Sequence, residues 1–443
     1  MTENSSAYSV QQWQELEDKV FTTDSAALTA IRDYARYNSL PPVAFLVGCA
    51  LYAIAATPGK VMLDAGLGTG TANLFVCLMD APGMGKDRLM KYVRRAMHVS
   101  CQGKTLEPTA ASISSGEGVI TSMIEHDDNG NPLVEDGTAI PGGPVLFGVA
   151  EVGLLGSLMK RQGNTLRQNL LSVYSGNPLG INNRRDKIQL PEDSYRGCLS
   201  VGAQPDTANI LLEGGDDGLR HRFVFVELVD PLVDVDRDYP KAELMRVDIP
   251  ARLMEGEPFS FPRKVQQYSR DMQKQKLKHG AAVAPIGHAD FTTAKLAMGI
   301  ALLRSQASAS QHDYDSAKAI MGYSTAVIAR CEQHGSDRRI ADRAARRGED
   351  EQAAELAAER RMKRKEEKQN RLTQKIVEWV DVDDGCQPEP ETWQQFRQTL
   401  NSRDRPDADS ILGQMVHDQA LRWDGSRVER GPSFHHLVQT GLS

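Results

Sequence analysis

The segment Asp80-Ala-Pro-Gly83-Met84-Gly85-Lys86-Asp87-Arg88 concentrates residues whose types and order suit one task, the binding of an anion. A glycine turn lets consecutive backbone N–H groups converge, and a helix that starts at the turn aims its positive dipole end at the same point. Gly83, Met84, Gly85 and Lys86 would wrap a β-phosphate, the Lys86 ammonium would reach the β- and γ-oxygens, and Asp87 and Arg88 at the start of the helix complete the expected nucleotide-binding set. Pro82 has no N–H to give. Two positions depart from the usual phosphate loop: Asp80 stands where its first glycine falls, and Asp87 where a Mg²⁺-binding hydroxyl falls. The plainer reading is a strand-turn-helix corner with a surface lysine.

The residues downstream extend the phosphate reading. Pro144-Val-Leu-Phe-Gly-Val149-Ala150-Glu151 is an apolar run that ends in a carboxylate, the place from which an acid holds Mg²⁺ and polarises an attacking water. Ala150 occupies the position expected for the metal-binding Asp, so Asp87 is the candidate that restores the missing charge for Mg²⁺. Leu199 to Ala203 is a second such run, ending in Gln204, whose amide would orient water or simply cap a helix. Arg220 and Arg222 precede the run Phe223 to Glu227, and either could act as a finger on a neighbouring subunit's phosphates or pair with Asp216 or Asp217.

A competing glycine loop, Asp64-Ala-Gly66-Leu-Gly68-Thr-Gly70, resembles the cofactor loop of S-adenosylmethionine methyltransferases. That chemistry requires a helix and a second strand before the ribose-binding acid. Here the next acid, Asp80, follows a strand with no room for a helix, so a glycine-rich turn between two strands is the better expectation.

The elements that must position these residues are visible as texture. Short continuous apolar runs at 61–63, 73–79, 145–149, 198–203 and 222–227, separated by amphipathic stretches at 88–98 and 166–174, predict a sheet covered on both faces by helices. Ahead of them, helical spacing through residues 9–38 and the apolar run 43–56 predict a helical collar and a buried helix too short to span a bilayer. Residues 127–143 read as a hairpin insertion, 336–372 as a solvated charged helix or linker, and the last 70 or so as three helices followed by two strands about Asp424-Gly425. The scattered cysteines, Cys49, Cys77, Cys101, Cys198, Cys331 and Cys386, have no metal-ligand spacing and suit a reducing cytoplasm.

Gly83-Met-Gly85-Lys86-Asp87, Val149-Ala-Glu151, Gln168 to Gly176, Gly202-Ala-Gln204-Pro205 and Gly218-Leu-Arg220-His-Arg222-Phe223 together resemble the helicase-type P-loop ATPases of phages, plasmids and integrated elements, which often sit C-terminal to primase or primase-polymerase domains. The resemblance covers about residues 40–240. It implies an α/β P-loop NTPase core (AAA+/RecA-like) at 43–235, after the collar at 1–42 and before a helical extension at 236–335, the charged linker at 336–372 and a winged-helix-like domain at 373–443. It further implies ATP and Mg²⁺ as cofactors, Lys86 on phosphate, Glu151 as catalytic acid, Gln204 as sensor and Arg222 as finger.

The expected partners are nucleic acid, foremost single-stranded DNA, a homo-oligomeric ring of this chain, and a primase or other replication protein on a separate chain, with no membrane. The net charge of −7 speaks against general DNA coating, so contacts are expected from local basic segments. Arg184, Arg185 and Lys187, on a hairpin between the acid strand and the Gln204 strand, are placed to line a ring channel. The presumed recognition helix at 407–417 has Asp407 and Asp409 and no Lys or Arg, so Arg422, Arg427 and Arg430 of the wing are its better phosphate contacts, with protein docking as the other use. Two functions follow: an oligomeric ATP-dependent translocase or helicase of a mobile element's replication system, or a nucleotide-binding scaffold or initiator with weak or no hydrolysis.

Overall fold

Strands Phe75–Met79 (β1), Thr109–Ser112 (β2), Val145–Val149 (β3), Gly197–Ala203 (β4) and Phe223–Glu227 (β5) pair in parallel in the order β5-β1-β4-β3-β2. The structure is a computed structural model that describes residues 6–22, 25–80, 85–161, 163, 165–182, 187–212, 218–280, 287–381 and 392–434, with backbone alone for 182, 187, 287, 337–342 and 344–354. All residues of β1, β4 and β5 are buried, which is why those strands read as unbroken apolar runs rather than alternating ones. The edge strand β2, Thr-Ala-Ala-Ser, is mostly exposed and carries no such run.

The chain divides into two compact units, residues 1–339 and 340–443. In the first, helices Val10–Val20 (α1), Ala26–Tyr37 (α2) and Pro42–Ala55 (α3) precede the sheet. A Ser9–Gln12 capping box starts α1, the Ser25 hydroxyl caps α2, and Pro42 opens α3 at a position where its missing N–H costs nothing. Every residue of α3 is buried, and it packs on β1, β4, β5 and helix Gly287–Leu302.

Helix Lys86–Ala96 (α4) follows β1 through the glycine turn. Helices Val152–Met159 (α5) and Leu166–Ser175 (α6) follow β3, and Arg263–His279 (α7), Gly287–Leu302 (α8) and the long Gln311–Val380 (α9) come after β5.

Two sequence expectations change and one holds. The run at 61–63 does not join the central sheet: Met62–Asp64 pairs antiparallel with Thr69–Thr71 and parallel with Phe259–Ser260. The glycines between them form a turn linking two strands, the arrangement expected if no methyltransferase loop is present. The helix expected at 88–98 begins at Lys86 and ends at Ala96, after which Met97–Cys101 is a strand beside Met245–Asp248.

The second unit has its own core, built from Leu372, Ile376 and Trp379 of α9, Trp393 and Phe396 of helix Trp393–Thr399 (α10), and Ile411, Leu412 and Met415 of helix Arg405–His417 (α11). Trp379 and Phe396 stack at 4.4 Å. Strands Leu421–Trp423 and Val428–Arg430 close the unit around Asp424, whose carboxylate accepts from the Ser426 and Arg427 amides. The charged stretch before this core is helix, with every residue from Glu355 to Lys365 exposed.

Candidate active site at the carboxyl ends of the central sheet

Parallel strands deliver their following loops to one edge, and in open α/β sheets that edge is where ligands bind. Lys86 after β1, Glu151 after β3 and Gln204 after β4 all arrive there. Gly85 sits at φ +98°, a left-handed conformation that ends the turn and lets α4 start with Lys86 as its first residue. The Lys86 side chain is 8% exposed, and its Nζ lies 3.1 Å from Glu151 Oε1 and 3.5 Å from the Ala203 carbonyl.

Glu151 is the N-cap residue of α5, but its carboxylate makes no capping bond and remains half exposed, directed to Lys86 instead. The stem of Lys86 crosses β4 at Gly202. A Cβ there would stand 2.2 Å from the Ala150 carbonyl oxygen and 3.2 Å from Lys86 Cδ, so glycine is required where β3, β4 and the lysine converge.

Beside this pair lies a cleft of about 350 Å³ lined by Lys86, Asp87, Arg94, Ser112, Ala150 and Ser200 among others. Asp87 is exposed in the first turn of α4, where the helix dipole favours a carboxylate, and Arg94 lies two turns on. Arg94 and Ser112 are site residues that sequence reasoning missed. The signal for Arg94 was its i+7 relation to Asp87, which puts both on one side of the helix.

No group of three or more His, Cys, Asp or Glu side chains able to hold a metal occurs among the described residues. A magnesium ion bound through a nucleotide would keep several waters and use one or two carboxylates plus phosphate oxygens. Asp87, in the lining of the cleft, is the carboxylate that would hold it.

Gln204 follows β4 and is half-buried. Its carbonyl accepts from the Thr207 and Ala208 amides, and its side-chain amide has no hydrogen-bond partner among the described residues. The backbone, not the amide, does the capping.

Three expected site residues are elsewhere. Arg88 turns away from the cleft: its guanidinium donates to the Asn38 carbonyl at 2.6 Å and the Ser39 carbonyl at 3.3 Å, tying α4 to the end of α2. Arg222 precedes β5 and so lies at the amino end of the sheet, about 16 Å of strand away from Lys86 and Glu151. It is 8% exposed, 3.0 Å from His288 Nε2 and 5.6 Å from the centre of the Tyr174 ring, a position built into its own subunit. Burial, then the Arg222 and Lys295 cations, lower the His288 pKa to about 4, leaving a neutral imidazole to accept from Arg222. Arg220 is the exposed arginine of the two, 3.1 Å from Glu332 and from His221 Nε2.

Gly83, Met84, Arg184 and Arg185 lie outside the described residues, and for Lys187 the backbone alone is described. That backbone pairs with Asn182, the register position nearest the connection of an antiparallel hairpin, Leu179–Asn182 with Lys187–Leu190.

Protein-family models and curated proteins contain no match to this chain. No helix among the described residues is long and apolar enough to cross a membrane.

Proposed function

We propose that this chain is an oligomeric P-loop ATPase that moves along or unwinds nucleic acid, with single-stranded DNA as its track. The observation that carries the reading is the Lys86–Glu151 pair at 3.1 Å, held at the carboxyl edge of a five-stranded parallel sheet beside an open cleft. An ammonium and a carboxylate brought together from two strand ends are the two charges that phosphoryl transfer needs, one on the β- and γ-oxygens and one to orient water. Bound ATP would take Lys86 for its phosphates and release Glu151 to the attacking water, with Gln204 orienting it. Mg²⁺, with Asp87 as its protein ligand, would neutralise the developing charge.

In this reading Arg220, exposed at the opposite edge, is the candidate to reach a neighbouring subunit. The hairpin that carries Arg184, Arg185 and Lys187 faces the track, and the second unit is a winged helix that docks DNA or a partner such as a primase.

A second reading, a nucleotide-binding scaffold with slow turnover, is favoured by one observation: Ala150 lines the cleft where a second carboxylate is usual. DNA-stimulated ATP hydrolysis by wild type and Lys86→Ala, with mass photometry in the presence and absence of nucleotide, tests both. Stimulated turnover abolished in Lys86→Ala, with nucleotide-dependent assembly, supports the translocase. Assembly without turnover supports the scaffold, and neither sinks the proposal.

A further inference from the structure

Helix α7 carries six Lys or Arg residues and one Asp in a chain whose net charge is −7. At about 100° per residue, Arg263, Lys264, Arg270, Lys274 and Lys278 fall within an arc of about 120°. Val265, Ser269, Met272 and Lys276 lie on the opposite side. The structure agrees with this division: the five cations are exposed, Val265 is buried, and Ser269, Met272 and Lys276 line a small cleft against α8.

The exposed face keeps a net positive charge, with the exposed Asp271 in the same arc against five cations. Among the described residues only Lys274 of the five has a carboxylate within ion-pair distance, Asp271 at 3.8 Å, while Arg270 donates to the Gly66 carbonyl. Arg270, Lys274 and Lys278 recur every four residues, so three charges run along the helix in one row at about 6 Å intervals. Tyr268 and Leu277 are the exposed large apolar residues of α7, too few for an amphipathic membrane face.

We infer that this face of α7 is a second nucleic-acid contact, which binds the phosphate backbone without reading sequence. The inference rests on the nucleic-acid part of the proposed function and assigns it a surface separate from the hairpin. A row of exposed cations along a helix complements a row of phosphates, and each contact releases a counterion, so its signature is salt dependence.

The test measures the affinity of the full chain for a single-stranded oligonucleotide from 50 to 300 mM salt, for wild type and for the triple variant Lys264→Ala, Lys274→Ala, Lys278→Ala. Losing three single-strand phosphate contacts lowers the log–log salt slope by about 2 and weakens binding about a hundredfold at 0.1 M salt. Triple Lys→Arg at the same positions retains wild-type binding.

A control variant, Arg360→Ala, Arg361→Ala, Lys363→Ala, removes the same charge elsewhere and leaves binding near wild type. Equal loss in the control variant overturns the inference, because net charge alone would then explain it. Wild-type binding by the α7 variant overturns it while leaving the hairpin reading intact. A wild type that binds no DNA at 50 mM salt overturns the nucleic-acid reading itself. Displacement of the oligonucleotide by polyglutamate at equal charge concentration overturns it in favour of an acidic protein partner. Far-ultraviolet circular dichroism confirms that both variants keep their helix content.

Discussion

The two edges of the central sheet each hold a lysine, and the chain completes one of them and leaves the other open. At the amino edge Lys295 of α8 is wholly buried and donates to the carbonyls of Asn73 and Tyr174 at 2.8 and 2.7 Å, with its ammonium 3.4 Å from the Tyr174 ring centre. Arg196 beside it is also buried, donating to the carbonyls of Thr57, Pro58 and Val61 and to Asn73. At the carboxyl edge Lys86 has one half-exposed carboxylate and a distant carbonyl, facing a cleft. A buried cation saturated by its own backbone is fixed in place and has nothing left to give a ligand. A cation with a single exchangeable partner can trade it for a phosphate.

The largest expected effect separates the two edges outright. Lys86→Ala lowers nucleotide turnover by about 10²–10³-fold, the typical cost of losing a preorganised charge from a reacting centre. It changes Tm little, because an ion pair with one half-exposed member contributes only about 0–1 kcal/mol. Lys295→Met does the reverse. It orphans two buried carbonyls at about 1–3 kcal/mol each, so Tm falls by several degrees while activity per folded molecule persists. Thermal melts and turnover measured on both variants check the pair together; equal stability losses would mean that the carboxyl edge is as much a structural corner as the amino edge.

Much of the carboxyl edge was legible because its parts are local in sequence. A glycine turn, a lysine and an amphipathic helix occupy consecutive positions, and each acid or amide closes an apolar run. The amino edge was not legible. Lys295 meets Asn73 across 222 residues, and its only local sign is one lysine in the apolar stretch Thr292-Thr-Ala-Lys295-Leu-Ala-Met298 of α8. Arg222 does stand at the start of an apolar strand, as read, but its burial against His288, 66 residues on, has no local sign. The edge strand β2 was missed because an exposed strand needs no apolar run, and Arg88 because its acceptors belong to the end of α2.

The next effect sharpens what the open edge can do. If Asp87 already supplies the charge that Ala150 lacks, Ala150→Asp changes Mg-dependent turnover by less than about twofold and Asp87→Ala abolishes it. If the site is crippled, Ala150→Asp raises turnover about tenfold or more, in proportion to the metal charge restored. Steady-state hydrolysis across a magnesium titration distinguishes the two.

A smaller effect is expected at the amino edge, where Arg220 and Arg222 stand side by side with different exposure. Arg220→Ala, which removes exposed contacts with Glu332 and His221, leaves stability within about 1 kcal/mol of wild type. If it acts in trans, it lowers turnover of the assembled protein, and mixing it with Lys86→Ala subunits restores part of that activity by pairing an intact cleft with an intact arginine. Failure of the mixture to recover any activity would assign Arg220 to its own subunit.

The smallest effect tests whether the amino edge is as closed as it looks. Desolvation is the larger cause of the lowered His288 pKa and Arg222 the next, so Arg222→Gln raises that value from about 4 without returning it to the ordinary 6.5. The sign follows for stability. Between those values the unfolded chain binds a proton that the folded chain refuses, so the stability due to neutral His288 is complete above about pH 6.5 and drains as pH falls toward 4. An NMR titration of the His288 ring in wild type and Arg222→Gln reads the shift directly. A value unmoved by the substitution would mean that the guanidinium is directed elsewhere in solution, and Arg222 would then regain the freedom that a finger requires.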